Sequence, residues 1–284
     1  MRRIAWMAAA ALGLWAVGSA MAQEAVHFPS LDGATTLDGY LFRAPGEGRH
    51  PAIVFMHGCG GMFSRAGPID PRLRGWATAF NGAGWSVLMV DSFRPRGVGN
   101  TCAPSTYDQR VADTRPKDAY GALYYLQSQP FVRGDRVAVI GWSAGGGAVL
   151  GTIPRDSVGR PAALPQDDFR AAVAFYPARC SLQRRSPGWT TGIPLLVLVG
   201  DADVWTPAAP CRDFVAAAVA RGAPIEMQIY PGAYHDFDAP NLPVRQYPQY
   251  TTTAGIVPIM GSDPAARADA YSRVPAFLAR YLSN

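Results

Sequence analysis

The chain has 284 residues and a formal net charge of +5, with 49% hydrophobic and 17% charged residues. This composition is typical of a globular protein and excludes an intrinsically disordered chain. The arginines are scattered through the sequence rather than clustered. The positive charge is therefore typical of a solvent-exposed surface, and nucleic-acid binding is not expected.

The N-terminus has the layout of a secretory signal peptide. Arg2 and Arg3 precede an apolar run from Ile4 to Val17, and small residues at 19, 20 and 22 follow. We predict cleavage after Ala22, which makes residues 1–22 the signal and the mature protein periplasmic or extracellular. An uncleaved N-terminal anchor is the alternative. The apolar run is short for a bilayer, however, and no later stretch of the sequence approaches about 18 apolar residues, so stable membrane insertion is not expected.

Behind the signal, short apolar runs alternate with segments of helical length. Strands are predicted at 51–57, 85–91, 136–141, 171–176, 194–200 and 225–230, and helices at 71–83, 107–128, 144–153, 208–221 and 264–282. An antiparallel edge is expected ahead of them, formed by residues 26–28 and 40–43. Apolar runs without strict alternation are typical of strands covered on both faces. The sequence therefore predicts one α/β domain over residues 23–284, with a mostly parallel twisted sheet and helices on both faces.

The pentapeptide Gly141-Trp-Ser-Ala-Gly145 matches the G-x-S-x-G pattern of a nucleophile elbow. It follows one predicted strand and opens a predicted helix, the setting in which a serine lies on a sharp strand-to-helix turn. Small neighbours are needed there because the strained backbone crowds the flanking residues. Ser143 is therefore the predicted nucleophile, and a glycine-rich turn without chemistry is the alternative.

Serine needs a base to take its proton, and the chain has four histidines. On this fold the acid and then the histidine follow the serine along the chain, and His235 is the one histidine after Ser143. The acid that orients the histidine is expected after a neighbouring strand, where Asp201 and Asp203 follow the run at 194–200. We predict Asp203 as the acid because Asp201, closer to the strand, is suited to the turn, and Asp201 remains the alternative.

A tetrahedral intermediate needs two backbone N–H donors aimed at its oxyanion. One is expected from Ala144, directly after the nucleophile, and the other from Cys59 in the loop His57-Gly-Cys-Gly-Gly61. The His57 side chain is expected to brace this loop without transferring a proton. Cys59 as a catalytic thiol is a rival interpretation, but chain order places no base for it.

Four cysteines in an exported chain favour two disulfides. Cys59 and Cys102 lie in loops that follow successive strands, and such loops emerge close together at the carboxyl edge of the sheet. Cys180 and Cys211 follow two strands that are expected to be neighbours. We therefore predict the pairs Cys59–Cys102 and Cys180–Cys211. No cysteine lies in a C-x-x-C pair, so a zinc site is not expected. No cofactor is predicted.

Taken together, these motifs resemble those of the dienelactone hydrolase family of the α/β-hydrolases. The resemblance covers the chain from about Phe28 to the C-terminus, and its motifs are the loop at His57, the segment 91–97, the elbow at Ser143, the segment 200–207 and the segment 234–237. It implies an α/β-hydrolase fold, a Ser or Cys nucleophile with Asp and His, no metal, and hydrolysis of ester or lactone bonds. This chain carries Ser143 where the founding members carry a cysteine, and the loop after Asp91 differs from theirs at the arginine that grips a dienelactone carboxylate.

Candidate substrate-binding residues lie near the same sheet edge. Arg94 and Arg96 are consistent either with pairing to a substrate carboxylate or with a structural role. Phe93, Trp142 and Trp205 are consistent either with a pocket wall or with core packing. The Pro- and Tyr-rich segment 238–262 is too long for a simple connection and is predicted to cover the site.

The sequence thus predicts an exported serine hydrolase that cleaves a small-molecule carboxylic ester or lactone through an acyl-enzyme. Two other functions stay open. One is an exported peptidase with the same triad, and the other is a binding protein that kept the fold without activity. A complete set of nucleophile, base, acid and oxyanion loop favours an enzyme, because a binding protein has no chemical need for all four.

Overall fold

The computed structural model describes residues 23–64, 66–181 and 187–283. The predicted signal peptide, residues 1–22, lies outside these residues. None of the helices in the described ranges is long and apolar enough to cross a membrane.

An eight-stranded sheet forms the centre of the protein. Its strands are β1 (Gln23–Pro29), β2 (Thr36–Phe42), β3 (His50–Met56), β4 (Ser86–Asp91), β5 (Val132–Trp142), β6 (Ala171–Phe175), β7 (Leu195–Gly200) and β8 (Ile225–Tyr230). They lie in the order β1-β2-β4-β3-β5-β6-β7-β8. β2 pairs antiparallel with β1 and with β4, and every other neighbouring pair in this sheet is parallel. The predicted α/β class with a mostly parallel sheet and an antiparallel edge is confirmed.

Helices cover both faces of the sheet. They are α1 (Pro71–Gly82), α2 (Gln109–Gln127), α3 (Ala144–Thr152), α4 (Ala208–Val219) and α5 (Pro264–Leu282). α2, α3 and α4 pack on one apolar face, and α1 and α5 pack on the other. Residues of β4, β6 and β7 are buried at every position, because each strand is covered from both sides.

The helix starts follow local capping chemistry. Asp70, Asp108 and Asp263 each precede a helix and accept a hydrogen bond from a backbone N–H of its first turn. The Asp108 cap begins α2 two residues later than predicted, and α2 continues through Pro116.

The segment after β8 contains a small hairpin, separate from the main sheet. Its strands β9 (Arg245–Gln246) and β10 (Ile259–Met260) are antiparallel, and a 3-10 turn over Pro248–Tyr250 lies between them. Met260 forms a β-bridge with His235, and the Gly261 N–H donates to the His235 carbonyl at 3.0 Å. The hairpin therefore shares backbone contacts with the loop that carries the predicted base. Asp238, the first residue of the segment predicted to cover the site, is fully buried.

Candidate active site

Ser143 lies on a strained turn between β5 and α3. Its φ of 52° and ψ of −115° are unusual for a residue with a side chain. A Cβ on Gly145 would lie 2.0 Å from the Met56 carbonyl oxygen, and one on Gly141 would lie 2.2 Å from the Gly145 carbonyl oxygen. Only glycine fits at these two positions, which explains the small residues of the elbow. The turn is held by the Ser143 N–H, which donates to the Phe175 carbonyl at 3.0 Å.

His235 and Asp203 form a buried pair at the ends of β8 and β7. The His235 Nδ1 lies 2.7 Å from Asp203 Oδ2. The Asp203 carboxylate also accepts the backbone N–H groups of Trp205 and Thr206, at 2.8 and 2.9 Å, and the Thr206 hydroxyl at 2.7 Å. These donors fix the carboxylate, which in turn fixes the imidazole with Nδ1 toward Asp203. Nε2 is then the nitrogen left to exchange a proton.

Two opposed effects act on the pKa of His235. Burial lowers it, but the charge of Asp203 and the hydrogen bond from Nδ1 raise it, and the net pKa lies above the ordinary value of 6.5. Aromatic rings enclose the imidazole, with the Tyr176 ring centroid at 4.5 Å and the Trp205 centroid at 5.0 Å. His235 is therefore a stronger base than a free imidazole, and it is shielded from bulk water.

The alternative acid, Asp201, has a different role. Its Oδ1 accepts the backbone N–H of Gly232 at 2.6 Å, and its own N–H donates to the Tyr230 carbonyl at 3.1 Å. Asp201 thus joins the turn after β7 to the turn after β8, and the structure places Asp203 alone of the two against His235.

The two predicted oxyanion donors flank the serine. Ala144 is the first residue of α3, and the N–H groups in a first helical turn have no partner within the helix. A Cβ on Gly58 would lie 3.7 Å from the Ser143 Cβ, so the loop that carries Cys59 runs beside Ser143. Thr101 N–H donates to the Cys59 carbonyl at 2.9 Å, and a Cys59–Cys102 disulfide joins the same two loops, with Cα atoms 4.9 Å apart.

All four cysteines are in disulfides with the predicted partners, since Cys180 and Cys211 are also bonded, at a Cα separation of 4.7 Å. A sulfur in a disulfide is not a thiolate, so the structure contradicts the rival interpretation of Cys59 as a nucleophile.

His57 is a buried brace behind the oxyanion loop. Its Nδ1–H donates to the Gly58 carbonyl at 2.7 Å, and its Nε2 accepts the Ser92 N–H at 3.2 Å. Burial, with a contribution from the nearby Arg115 guanidinium, lowers the pKa of His57 to about 3. Both ring nitrogens are used and the ring stays neutral, so His57 is not positioned to take a proton from Ser143.

Two of the candidate substrate-binding residues are structural instead. The Arg96 guanidinium bonds Asp118 twice, at 2.7 and 3.0 Å, and Asp32 at 2.7 Å, so a substrate carboxylate would have to displace two aspartates. The Trp142 side chain is fully buried and stacks on Phe175 with ring centroids 5.3 Å apart. The alternative of a substrate-binding role is therefore wrong for both Arg96 and Trp142.

The other three candidates lie closer to solvent or to the site. Phe93 is almost fully buried, with its ring edge-on to His57 at 4.4 Å, and it lines a cavity of about 190 Å³ beside the oxyanion loop. Arg94 lines the same cavity with 55% of its side chain exposed, and its guanidinium lies over the Phe63 ring at 3.4 Å. Trp205 packs between His235 and Tyr250, the latter at 5.6 Å. Tyr250 in turn accepts a hydrogen bond from Asn100 at 3.1 Å, which joins the hairpin to the loop after β4.

The sequence analysis did not predict a polar network around the loop that carries His235. The residues in it are Arg72, Tyr176, Asp236 and Asp238, and all of them are shielded from solvent for most of their surface. Arg72 Nη1 donates to Tyr176 Oη at 2.8 Å and also pairs with Asp236, the residue after His235. Burial raises the pKa of Asp236, but the charges of Arg72 and His235 outweigh it and leave the pKa lowered. The one signal in the sequence is the pair of aspartates in His235-Asp-Phe-Asp238, which is unusual next to apolar residues.

The described residues offer no set of side chains that could bind a metal ion. Across the described ranges, no group of three or more His, Cys, Asp or Glu side chains is arranged to hold a metal ion.

Comparisons with known proteins give matches over most of the chain. A profile described as "Dienelactone hydrolase family" matches residues 37–282. A Bradyrhizobium sp. protein described as "Probable 2-oxo-3-(5-oxofuran-2-ylidene)propanoate lactonase" is 27% identical over 213 residues, which cover 70% of this chain and 77% of that protein.

Solved structures match at lower identity. A dienelactone hydrolase from Anabaena variabilis has a TM-score of 0.64 at 19% identity, covering 92% of this chain and 98% of that one. Esterase 2 of Thermogutta terrifontis, phosphoramylated by tabun, has a TM-score of 0.63 at 20% identity, covering 95% of this chain and all of that one (100%). At these identities the structures share the fold.

Proposed function

Because this chain belongs to the dienelactone hydrolase family, we propose that it is a serine hydrolase that cleaves carboxylic ester or lactone bonds through an acyl-enzyme on Ser143. One observation carries the proposal. The buried His235–Asp203 pair, with 2.7 Å between Nδ1 and Oδ2, lies at the same sheet edge as a serine on a strained strand-to-helix turn. A paired imidazole that keeps Nε2 available is what activates a serine hydroxyl.

The proposed reaction begins with attack of Ser143 Oγ on the ester carbonyl carbon, while His235 Nε2 takes the hydroxyl proton. Asp203 keeps the imidazole oriented and stabilises the positive charge that forms on it. The backbone N–H groups of Ala144 and Cys59 stabilise the oxyanion. His235 then returns the proton to the leaving alkoxide. Water attacks the acyl carbon while the same nitrogen takes its proton, and His235 passes this proton to Ser143 Oγ as the bond to the acyl carbon breaks and the carboxylic acid leaves.

The cavity beside the oxyanion loop is the proposed binding site for part of the substrate. Gly60, Gly61, Phe93 and Arg94 line it. The exposed guanidinium of Arg94 could pair with a carboxylate on the substrate, and Trp205 forms a wall beside His235.

Export is part of the proposal. The signal-like sequence of residues 1–22 and the disulfides Cys59–Cys102 and Cys180–Cys211 support an oxidising compartment, since disulfides persist outside the cytosol.

The test is a substrate panel with the purified protein from residue 23 onward. Wild type and Ser143→Ala are assayed on p-nitrophenyl esters, aliphatic esters, lactones and peptide anilides. We expect hydrolysis of esters or lactones by wild type, and loss of it in the variant. Cleavage of anilides in preference to esters would make the protein a peptidase, and the absence of any Ser143-dependent turnover would leave a binding protein.

A further inference from the structure

One buried carboxylate connects the nucleophile to the base. Asp238 has no solvent exposure (0%), and its oxygens accept three side-chain hydrogen bonds. Oδ2 accepts the indole N–H groups of Trp76 and Trp142, at 2.8 and 2.9 Å. Oδ1 accepts the Tyr176 hydroxyl at 2.6 Å.

The three donors come from different elements, and they differ in how close they lie to Ser143 and His235. Trp142 is the last residue of β5 and directly precedes Ser143. Tyr176 directly follows β6, with its ring 4.5 Å from the His235 ring. Trp76 lies on α1, which carries none of the proposed catalytic residues. Asp238 itself lies three residues after His235, so its carboxylate joins the nucleophile elbow directly to the base loop.

We propose that Asp238 is a positioning residue for hydrolysis, which fixes the elbow of Ser143 relative to the loop of His235. This inference rests on the proposed function. A buried carboxylate is costly, and a well-packed apolar residue in its place is often as stable or more so. Three donors that converge from three elements give the carboxylate a geometric role that an apolar residue cannot have, because hydrogen bonds fix direction as well as distance.

The two indole donors provide a matched pair of variants. Trp142→Phe and Trp76→Phe each remove one indole N–H from the same oxygen, and each shortens a fully buried side chain. Misplacement of a catalytic group by about 1 Å can cost about a hundredfold in rate. We expect Trp142→Phe to lower kcat about tenfold or more at nearly constant KM, and Trp76→Phe to lower kcat clearly less, because Trp76 holds the carboxylate without lying in the elbow of Ser143.

The rates are measured on the best ester of the panel and divided by the concentration of active sites, titrated with a fluorophosphonate. Thermal unfolding of each variant shows that the assay temperature lies below its transition. Equal losses of kcat in both variants, or no loss in Trp142→Phe, would overturn the inference, since a purely structural carboxylate responds alike to either indole.

Asp238→Asn is the second variant, and it decides the question if a tryptophan variant does not fold. The amide keeps the size of the side chain but loses one acceptor. We expect a lower kcat, an unchanged KM and an unchanged pKa in the pH–rate profile, because the base itself is intact. If Asp238→Asn has the same kcat as wild type, the positioning role of Asp238 is overturned but the proposed function stands. If the wild-type protein itself does not hydrolyse esters or lactones, the proposed function is overturned as well.

Discussion

Two polar side chains, Asp203 and Thr206, lie against Nδ1 of the His235 imidazole and determine where the ring points. Asp203 holds Nδ1, and Thr206 Oγ1 lies 3.1 Å from the same nitrogen and 2.7 Å from the Asp203 carboxylate. The Thr206 hydroxyl is also 3.1 Å from the Tyr176 carbonyl, which ties the acid to the loop after β6. The imidazole is thus oriented through contacts to β6, β7 and β8 rather than by its own loop alone.

The pH dependence of turnover follows from this setting. His235 must be neutral to accept the serine proton, and Asp203 raises its pKa above 6.5 against the opposing effect of burial. We therefore expect kcat/KM to rise with pH through an apparent pKa above the ordinary histidine value, and to flatten in mild alkali. Initial rates of ester hydrolysis across this range measure it. A rate that is highest in acid would contradict a histidine base.

Loss of the nucleophile or of the base should nearly abolish turnover. Ser143→Ala removes the attacking oxygen and His235→Ala removes the proton acceptor, and neither function has a substitute among the neighbouring side chains described above. We expect kcat to fall by about four to six orders of magnitude in each, with the residual rate due to the oxyanion donors and binding. Circular dichroism of each variant serves as the folding control, and unchanged activity in either would refute the mechanism.

The two aspartates after β7 allow a matched comparison. Asp203→Asn removes the charge that orients and stabilises the imidazolium, so kcat should fall by about ten-thousandfold. Asp201→Asn keeps an oxygen that can accept the Gly232 N–H, so its kcat should stay within about threefold of wild type. Steady-state kinetics of both variants on one ester show which aspartate is the acid of the triad. A larger loss of kcat in Asp201→Asn than in Asp203→Asn would make Asp201 the acid.

The loops that follow β3 and β4 act together as one element of the site. A disulfide joins Cys59 to Cys102, and the Thr101 N–H and hydroxyl both donate to the Cys59 carbonyl, at 2.9 and 3.3 Å. The other disulfide, Cys180–Cys211, joins the loop after β6 to α4, and neither of its cysteines is a proposed oxyanion donor.

Removal of the disulfides should therefore have different consequences. Replacing either pair by serines frees a loop of 43 or 31 residues and should lower the free energy of unfolding by about 3–4 kcal/mol. Loss of Cys59–Cys102 should also lower kcat, because the Cys59 N–H is a proposed oxyanion donor, whereas loss of Cys180–Cys211 should leave kcat near wild type. Urea unfolding and kinetics on both double variants measure this. Equal kcat values in the two would show that the first disulfide has no part in positioning the donor.

For the molecule as a whole, the sequence predicts the backbone and the strand ends better than the side-chain network. Ser143, Asp203 and His235 could be proposed as catalytic residues because each follows a recognisable apolar strand, and parallel strands bring their carboxyl ends to one edge. The partners of Arg96 and Trp142 could not be found in this way. Arg96 bonds Asp32 and Asp118, and Trp142 bonds Asp238, so these contacts depend on side-chain directions after the chain has folded.

Two histidines link the stability of the whole molecule to pH with opposite signs. The pKa of His235 is raised on folding, so its stabilising contribution is complete below the unfolded value of about 6.5 and is lost as the pH rises through the folded pKa. The pKa of His57 is lowered to about 3 on folding. The unfolded chain therefore binds a proton at His57 that the native protein does not bind, from about pH 6.5 down to the folded pKa.

We expect the free energy of unfolding to fall as the pH is lowered from about 6.5 to about 5, by about 1.4 kcal/mol per pH unit from His57 when its unfolded form is fully protonated. Near pH 6.5 the half-protonated unfolded His235 opposes this slope, but towards pH 5 His235 is protonated in both states and contributes little, and most carboxylates are still ionised. His57→Asn keeps a side-chain N–H that can donate to the Gly58 carbonyl but does not titrate. Urea unfolding at several pH values gives the free energy of unfolding as a function of pH. Its slope should be smaller in the variant by up to about 1.4 kcal/mol per pH unit, which corresponds to one proton. A variant curve that is displaced downward but parallel to the wild-type curve would show that His57 is not the group whose protonation accompanies unfolding.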